Sequence, residues 1–123
     1  MSADDLAIAR EFLGAVAAAA CTGEQDAMYQ LLAPDVEWLT PIRDLHGLDE
    51  VRTRVDWPRP HAALEIEFAE PTLTDLGDGR VVSEMHETYR MKATGEYAYA
   101  RDRRFDLTIL ERRIARYEMR IVG

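Results

Sequence analysis

The chain has 123 residues, of which 47% are hydrophobic and 31% charged, and its formal net charge is −8. This length supports one domain with one sizeable core, and the composition is that of an ordinary globular protein. The acidic balance argues against general binding to nucleic acid or to an anionic membrane. No apolar run is long enough to span a membrane, and the acidic N-terminus lacks the basic start of a signal peptide. We therefore expect a cytoplasmic protein.

The first segment predicts a long helix. Ser2 can cap it, with Asp5 three residues on as the reciprocal partner, and Gly23 is a natural residue for its end. A shorter helix over roughly residues 24–32 follows, and we expect Pro34 to end it. The first helix carries apolar residues at helical spacing, namely Leu6, Ala9, Phe12, Leu13, Val16 and Ala20.

A short strand is predicted next in DVEWLT, with Val36, Trp38 and Thr40 on one face. The segment PIRDLHG is a loop or a short strand. A third helix is predicted in LDEVRTRV, ending at DWPRP.

The rest of the chain, from about residue 64, contains strand patterns only. Alternating apolar and polar residues predict strands in ALEIEFAEPTLTDL, RVVSEMHETYRMKA, EYAYARDRRFDLTIL and IARYEMRIV. Pro71 indicates a bulge or an edge position, and GDGR, TGE and ERR are the turns. Three helices followed by an antiparallel meander predict an α+β architecture, in a single domain over residues 1–123.

Charged residues interrupt the apolar face of two of these strands. Arg101 and Arg103 precede Phe105 on the same face, and Glu87 lies within an otherwise apolar alternation. A buried carboxylate is costly unless it is paired, so we expect Glu87 to meet one of the two arginines. Two interpretations stay open: Glu87 is a base or ligand acceptor beside an arginine that binds an anion, or the pair is a structural bridge at a half-hydrated rim.

Three segments carry a resemblance to a known family: GEQDAMYQLLAPDVEWLTP, LHGLDEVRTRV and RRIARYEMR. They resemble the nuclear transport factor 2-like superfamily, in its SnoaL-like branch, and the resemblance covers nearly the whole chain. It implies a cone, in which a curved and mostly antiparallel sheet wraps around three N-terminal helices, with a pocket on the concave face. It also implies a homodimer through the sheet. Because such members include isomerases, cyclases, dehydratases and non-catalytic binding modules, the fold does not fix the function.

The catalytic set of ketosteroid isomerases can be compared residue by residue. That chemistry needs a carboxylate base, and hydroxyl or carboxylic-acid donors around an enolate oxygen. The matching positions hold Thr40 for the base, Phe105 for the acid, and Phe12 or Val16 for the tyrosine. None keeps its acid or hydroxyl, so steroid isomerase activity by that mechanism is not expected.

The cone fold and the strand parity together give a candidate site. Glu87 and Arg103 are the catalytic candidates, with His46, which is either a pocket acid/base or a loop residue at the entry to the third helix. One cysteine and three scattered histidines give no metal site of the usual kinds, and we expect no cofactor. The predicted ligand pocket consists of Phe12, Val16, Trp38, Met85, Tyr89, Tyr99, Arg101, Phe105, Tyr117 and Met119.

Two functions follow as hypotheses. The first is a small-molecule-binding protein, which includes an enzyme of isomerase, cyclase or dehydratase type that acts on a small hydrophobic or carboxylate-bearing substrate. The second is a non-catalytic dimerisation or partner-binding module, with a charged outward sheet face. A cavity reached by Glu87, Tyr99 or Arg103 favours the first. A cone filled by aromatic side chains favours the second.

Overall fold

The structure is a computed structural model that describes residues 2–122, with side chains from Asp4 onward; the predicted cap by the Ser2 side chain lies outside the described residues. The helices are α1 (Ser2–Thr22), α2 (Asp26–Gln30) and α3 (Leu48–Arg54). The strands are β1 (Leu32–Leu39), β2 (Asp44–His46), β3 (Leu64–Phe68), β4 (Thr72–Gly77), β5 (Arg80–Met91), β6 (Tyr97–Leu110) and β7 (Arg113–Val122). The predicted α+β architecture is confirmed.

The strands form one curved, mostly antiparallel sheet in the order β2-β1-β7-β6-β5-β3, with β4 also paired to β5. Only the β1–β7 pairing is parallel among the described strands. β3 and β4 pair with opposite halves of β5, and the break between them contains Pro71, which has no N–H to donate to a ladder. The bulge or edge position predicted at Pro71 is thus the point at which the neighbour of β5 changes from β3 to β4.

The prediction for the second helix is wrong at its C-terminal end. α2 ends at Gln30, and Pro34 lies inside β1. The pairing of β1 with β7 is irregular between Leu32 and Glu37. Proline is tolerated at such an irregularity because a ladder hydrogen bond from its nitrogen is not required.

The helix α1 packs against the concave face of the sheet and fills the closed end of the cone. Its Phe12 ring meets the Tyr117 ring edge-on at 5.8 Å between centroids. Trp38 stacks on the other side of Tyr117, with centroids 3.8 Å apart and an interplanar angle of 16°. The sheet contributes further buried side chains to this cluster, namely Val81, Met85, Phe105, Leu107, Ile109 and Ile114.

The outward face of the sheet carries ion pairs between neighbouring strands. His86 Nδ1 lies 2.8 Å from Asp102 Oδ1, and Arg80 and Arg120 both approach Asp106, at 3.3 and 3.1 Å. These pairs are mostly exposed, and each contributes little to stability. None of the helices in the described residues is long and apolar enough to cross a membrane.

The turn from β4 to β5 requires glycine at one position for two reasons. Gly79 has φ = +79°, and a Cβ there would lie 2.3 Å from the Ile109 carbonyl oxygen of β6. The Gly79 carbonyl oxygen accepts a 2.7 Å hydrogen bond from the Ile109 N–H. A side chain at this position would therefore push β5 and β6 apart.

We expect Gly79→Ala to lower the free energy of unfolding by more than the ~1–2 kcal/mol that a left-handed backbone costs a residue with a Cβ. Gly95→Ala is the matched control, because Gly95 has φ = +75° and open space around its Cα. Urea denaturation of both variants measures the difference. Equal destabilisation of the two variants would contradict the close approach to Ile109.

Candidate functional site

A buried network of three polar side chains lies on the concave face of β5 and β6. Arg103 Nε donates to Glu87 Oε2 at 2.5 Å, and the Tyr89 hydroxyl donates to Glu87 Oε1 at 2.7 Å. Arg103 Nη2 also donates to the Tyr89 hydroxyl at 3.2 Å. Glu87 is 0% exposed and Arg103 6% exposed. Both carboxylate oxygens are therefore engaged, and Glu87 holds Arg103 in place.

Strand register brings these residues together. In the antiparallel β5–β6 ladder, Met85 faces Arg103, Glu87 faces Arg101, and so Arg103 lies diagonally across from Glu87. Side chains two residues apart on one strand share a face, so all of these residues point to the concave side. A slip of one residue would move the whole set to the other face. Of the two predicted partners, Glu87 pairs with Arg103.

Burial changes the ionisation of the network. For Arg103, burial alone lowers the pKa, but the Glu87 carboxylate and the Tyr89 hydroxyl raise it, and the net pKa is raised. Burial raises the pKa of Tyr89, the hydrogen bond from Arg103 lowers it, and Glu87 raises it, for a net rise. Arg103 is therefore charged and Tyr89 neutral at ordinary pH.

A cavity of about 160 Å³ opens beside this network, at the mouth of the cone. We call it the mouth cavity. Most of its wall is apolar, with two indole rings, and three arginines and one aspartate supply the charge. Its lining residues are Trp38, Thr40, Pro41, Ile42, Arg43, Leu45, Asp56, Trp57, Arg101, Arg103, Met119 and Ile121.

The two arginines of β6 that line the mouth cavity differ in the contacts of their guanidinium groups. The Arg103 guanidinium lies over the Trp57 ring, 4.5 Å from its centroid, and Nη1 contacts Met119 Sδ at 3.1 Å. Arg101 Nη2 donates to the Tyr99 hydroxyl at 2.9 Å, and its buried Nε has no hydrogen-bond partner among the described residues. Thioether sulfur is a weak acceptor, so both guanidinium groups have donor capacity left.

The loop after α3 supplies wall residues that the sequence analysis missed. Asp56 and Trp57 line the mouth cavity, and Arg43 Nε lies 2.7 Å from Asp56 Oδ2. The sequence DWPRP by itself predicts only the end of a helix. An acidic and a large aromatic residue together before a proline are the signal that marks this loop, since loops are enriched in binding residues.

The predicted pocket residues divide into two groups. Trp38, Arg101, Arg103 and Met119 line the mouth cavity. Tyr89 and Tyr99 stack on each other behind it, at 4.5 Å between ring centroids. The others do not line it, because they are buried in the core between α1 and the sheet; these are Phe12, Val16, Met85, Phe105 and Tyr117.

The structure does not bring His46 to the cavity. Its neighbour Leu45 is buried and pairs with Trp38, so the His46 side chain points to the opposite, exposed face. Its backbone N–H donates to Glu50 Oε1 at 3.1 Å, at the entry to α3. His46 is therefore the last residue of β2, beside the entry to α3 as its alternative interpretation expected, but in a strand and not in a loop.

Thr40, which stands where ketosteroid isomerases carry their base, lines the mouth cavity, but its hydroxyl is hydrogen-bonded to the backbone of its own loop. Its Oγ1 donates to the Arg43 carbonyl at 3.0 Å and accepts from the backbone N–H groups of Ile42 and Arg43. Among the described residues, the carboxylate of the mouth cavity is that of Asp56, on a different element. Within the described residues, no three His, Cys, Asp or Glu side chains are grouped so that they could hold a metal ion.

Comparison with known proteins gives the fold. No protein-family model and no curated protein matches the chain. A nuclear transport factor 2-like protein from Burkholderia pseudomallei superposes with a TM-score of 0.72 at 20% identity, over 97% of this chain and 91% of that one. The chain has the nuclear transport factor 2-like fold. The expected membership of its SnoaL-like branch stays a prediction.

Two other structures with this fold were determined with small molecules. A protein with a ketosteroid isomerase-like fold from Catenulispora acidiphila, in complex with trimethylamine, has a TM-score of 0.63 at 19% identity, over 89% of this chain and 84% of that one. TerC, co-crystallised with polyporic acid, has a TM-score of 0.67 at 16% identity, over 97% and 92% of the two chains. At these identities the likeness concerns the nuclear transport factor 2-like fold alone.

Removing one partner of the buried pair should destabilise the protein strongly. We expect Glu87→Gln to lower the free energy of unfolding by about 3–5 kcal/mol, because it leaves the Arg103 charge buried without a counter-charge. Urea denaturation measures the loss. Glu84→Gln is the control on the same strand, since Glu84 is exposed, and its effect should stay within about 0.5 kcal/mol. Similar losses for both variants would contradict the structural role of the pair.

Tyr117 should make stability fall at alkaline pH. Burial raises the pKa of Tyr117 well above its usual value, Arg103 lowers it and Glu87 raises it. The contribution of neutral Tyr117 to the free energy of unfolding is therefore complete below the unfolded-state pKa of about 10. It is lost as pH rises towards the folded-state pKa. Above pH 10 the free energy of unfolding should fall by up to about 1.4 kcal/mol per pH unit from this residue. In urea denaturation at pH 9 to 11, Tyr117→Phe should show a shallower fall, and an identical slope would refute the prediction.

Proposed function

We propose that the protein binds a small, flat, mainly apolar molecule that carries an anionic oxygen, such as a carboxylate, in the mouth cavity. The observation that carries this proposal is the position of Arg101. It lines the cavity with Arg103, and no acidic side chain among the described residues lies within 4 Å of its guanidinium.

The charges of the mouth cavity support an anionic ligand. Arg43 is paired with Asp56, and Arg103 is paired with Glu87, which lies behind the wall. Within the part of the chain that the structure describes, the charge of Arg101 is left without a counter-charge. A planar guanidinium presents parallel N–H donors that match a carboxylate. A carboxylate in the cavity would supply the acceptors that the two β6 arginines lack.

The size and walls of the cavity support a single aromatic ring. An apolar cavity of roughly 150 Å³ holds a benzene molecule in another protein, and the mouth cavity has about 160 Å³. Trp38 and Trp57 contribute indole surface to the wall, and Leu45 and Ile121 contribute aliphatic surface. Offset or edge-to-face packing against an indole favours an aromatic ligand. Pockets for drug-sized ligands occupy about 300–1,000 Å³, so the ligand is smaller.

Proteins of the same fold support the binding of a small molecule, and not the anionic charge of the ligand. One was crystallised in complex with trimethylamine and another with polyporic acid. Chemistry of isomerase, cyclase or dehydratase type is compatible with the proposal, because fixed cationic donors stabilise an oxyanion that develops during a reaction.

The alternative function, a dimerisation or partner-binding module, remains a prediction, as does the cytoplasmic location. Filling of the closed end of the cone by aromatic rings is the observation in its favour. The convex face, however, pairs its charges within one chain, as in Arg116–Glu118 at 3.3 Å. A homodimer through this face would have to form a polar, self-complementary contact. The mouth cavity does not depend on that contact.

The proposal predicts selective binding of benzoate. Isothermal titration calorimetry at pH 7 should show benzoate binding at least about 10-fold more tightly than its neutral isostere benzamide, since charge-assisted hydrogen bonds are the stronger ones. Arg101→Gln should weaken benzoate binding by about 10-fold or more and leave benzamide nearly unchanged. We choose Arg101 for this test because the loss of Arg103 would leave the Glu87 carboxylate buried without a counter-charge.

Arg116→Gln is the matched control, since Arg116 lies on the convex face, paired with Glu118. It should bind benzoate as the unmodified protein does. Equal affinity for benzoate and benzamide, or no benzoate binding at all, would rule out the proposed function.

A further inference from the structure

The Asp56 carboxylate can accept further hydrogen bonds, and the other charged residues of the mouth cavity are arginines, which only donate. Asp56 lies in the loop after α3, lines the mouth cavity, and its side chain is 35% exposed. Arg43 Nε lies 2.7 Å from Oδ2, which is buried, and this ion pair fixes the carboxylate. A carboxylate has about four acceptor positions, two on each oxygen. Oδ1 has no partner among the described residues and is the oxygen that a ligand can reach.

The other polar groups of the wall do not satisfy Asp56. Thr40 Oγ1 is already bonded to the backbone of its own loop. Arg101 and Arg103 donate to Tyr99, Tyr89 and Glu87 on the sheet side. The buried Trp57 Nε1 has no partner among the described residues and is a donor only. The mouth cavity therefore combines spare donors with one spare acceptor.

Asp56 and Arg103 both adjoin Trp57. Trp57 follows Asp56 in the chain, and its ring lies beneath the Arg103 guanidinium at 4.5 Å. A ligand ring that packs on this part of the wall meets a cation and a carboxylate. The arginines would attract an anionic substituent on the ligand ring, and the Asp56 carboxylate would repel it. A substituent that donates a hydrogen bond suits Asp56.

We propose that Asp56 makes the mouth cavity selective for ligands that carry a hydrogen-bond donor as well as an anionic oxygen, which is the chemistry of a hydroxylated aromatic carboxylate. This inference rests on the proposed anion-binding function and adds a second recognition point to it. Asp56 is a specificity-determining residue that contacts the ligand hydroxyl, while the arginines hold the carboxylate.

The test compares benzoate with 3-hydroxybenzoate and 4-hydroxybenzoate on the full chain by isothermal titration calorimetry. A hydrogen bond to a charged group corresponds to an affinity gain of about 10-fold or more. At least one hydroxybenzoate should bind the unmodified protein about 10-fold more tightly than benzoate. Asp56→Asn should reduce that gain to about threefold or less, while benzoate itself binds at least as tightly as before, because a negative charge has left the cavity.

Asp49→Asn is the matched control, since Asp49 is an exposed aspartate on α3 outside the cavity wall. It should keep the full gain for the hydroxyl group. Benzoate binding to Asp56→Asn reports that the variant is folded, and loss of that binding would assign Asp56 a structural role and overturn the inference. A hydroxyl gain that is absent, that survives Asp56→Asn or that disappears in Asp49→Asn also overturns it. Failure of benzoate to bind the unmodified protein overturns the proposed function instead.

Discussion

The buried pair between Glu87 and Arg103 is the constraint on which the open end of the cone depends. Two charges removed from water are costly, and their attraction offsets that cost only when hydrogen bonds satisfy both groups. Tyr89 completes the set by donating to Glu87 and accepting from Arg103. These contacts exist only in the observed register of β5 and β6. The pair therefore specifies the register and at the same time fixes a guanidinium at the cavity wall.

The same strand, β6, serves a different purpose at each of its ends. Towards Leu110 its inward residues are buried beneath α1, and towards Tyr97 they become exposed, with Tyr97 at 61% and Tyr99 at 38%. Arg101 and Arg103 lie at the boundary between these environments. A long side chain with a polar end suits this boundary, because its stem packs on apolar surface while its head group reaches a polar partner. The gradient of burial along β6 explains why an apolar alternation contains two arginines.

Regular strands could be predicted from the sequence, and the loops of the site could not. The long alternations of β5 and β6 distinguish two faces, so the pairing of Glu87 with an arginine follows from parity. The predicted start of β1 is too late, because Leu32 reads locally as the end of a helix and becomes strand through pairing with the distant β7. Asp56 and Trp57 lie in a segment without periodicity, and only the folded chain brings them to the wall formed by β6.

The tasks of the two β6 cations in the cavity wall suit arginine and not lysine. Lys92 is the only lysine among 15 cationic side chains. Arg103 engages Glu87 through Nε, lies over Trp57 and contacts Met119 through Nη1, all with one planar group. An ammonium is a compact and strongly hydrated charge, without a flat face to stack or separate nitrogen atoms to divide among partners. At ionic strengths where the Debye length is about 8–10 Å, exposed acidic groups elsewhere are largely screened. A chain with a net charge of −8 can therefore still present a locally cationic cavity to an anion.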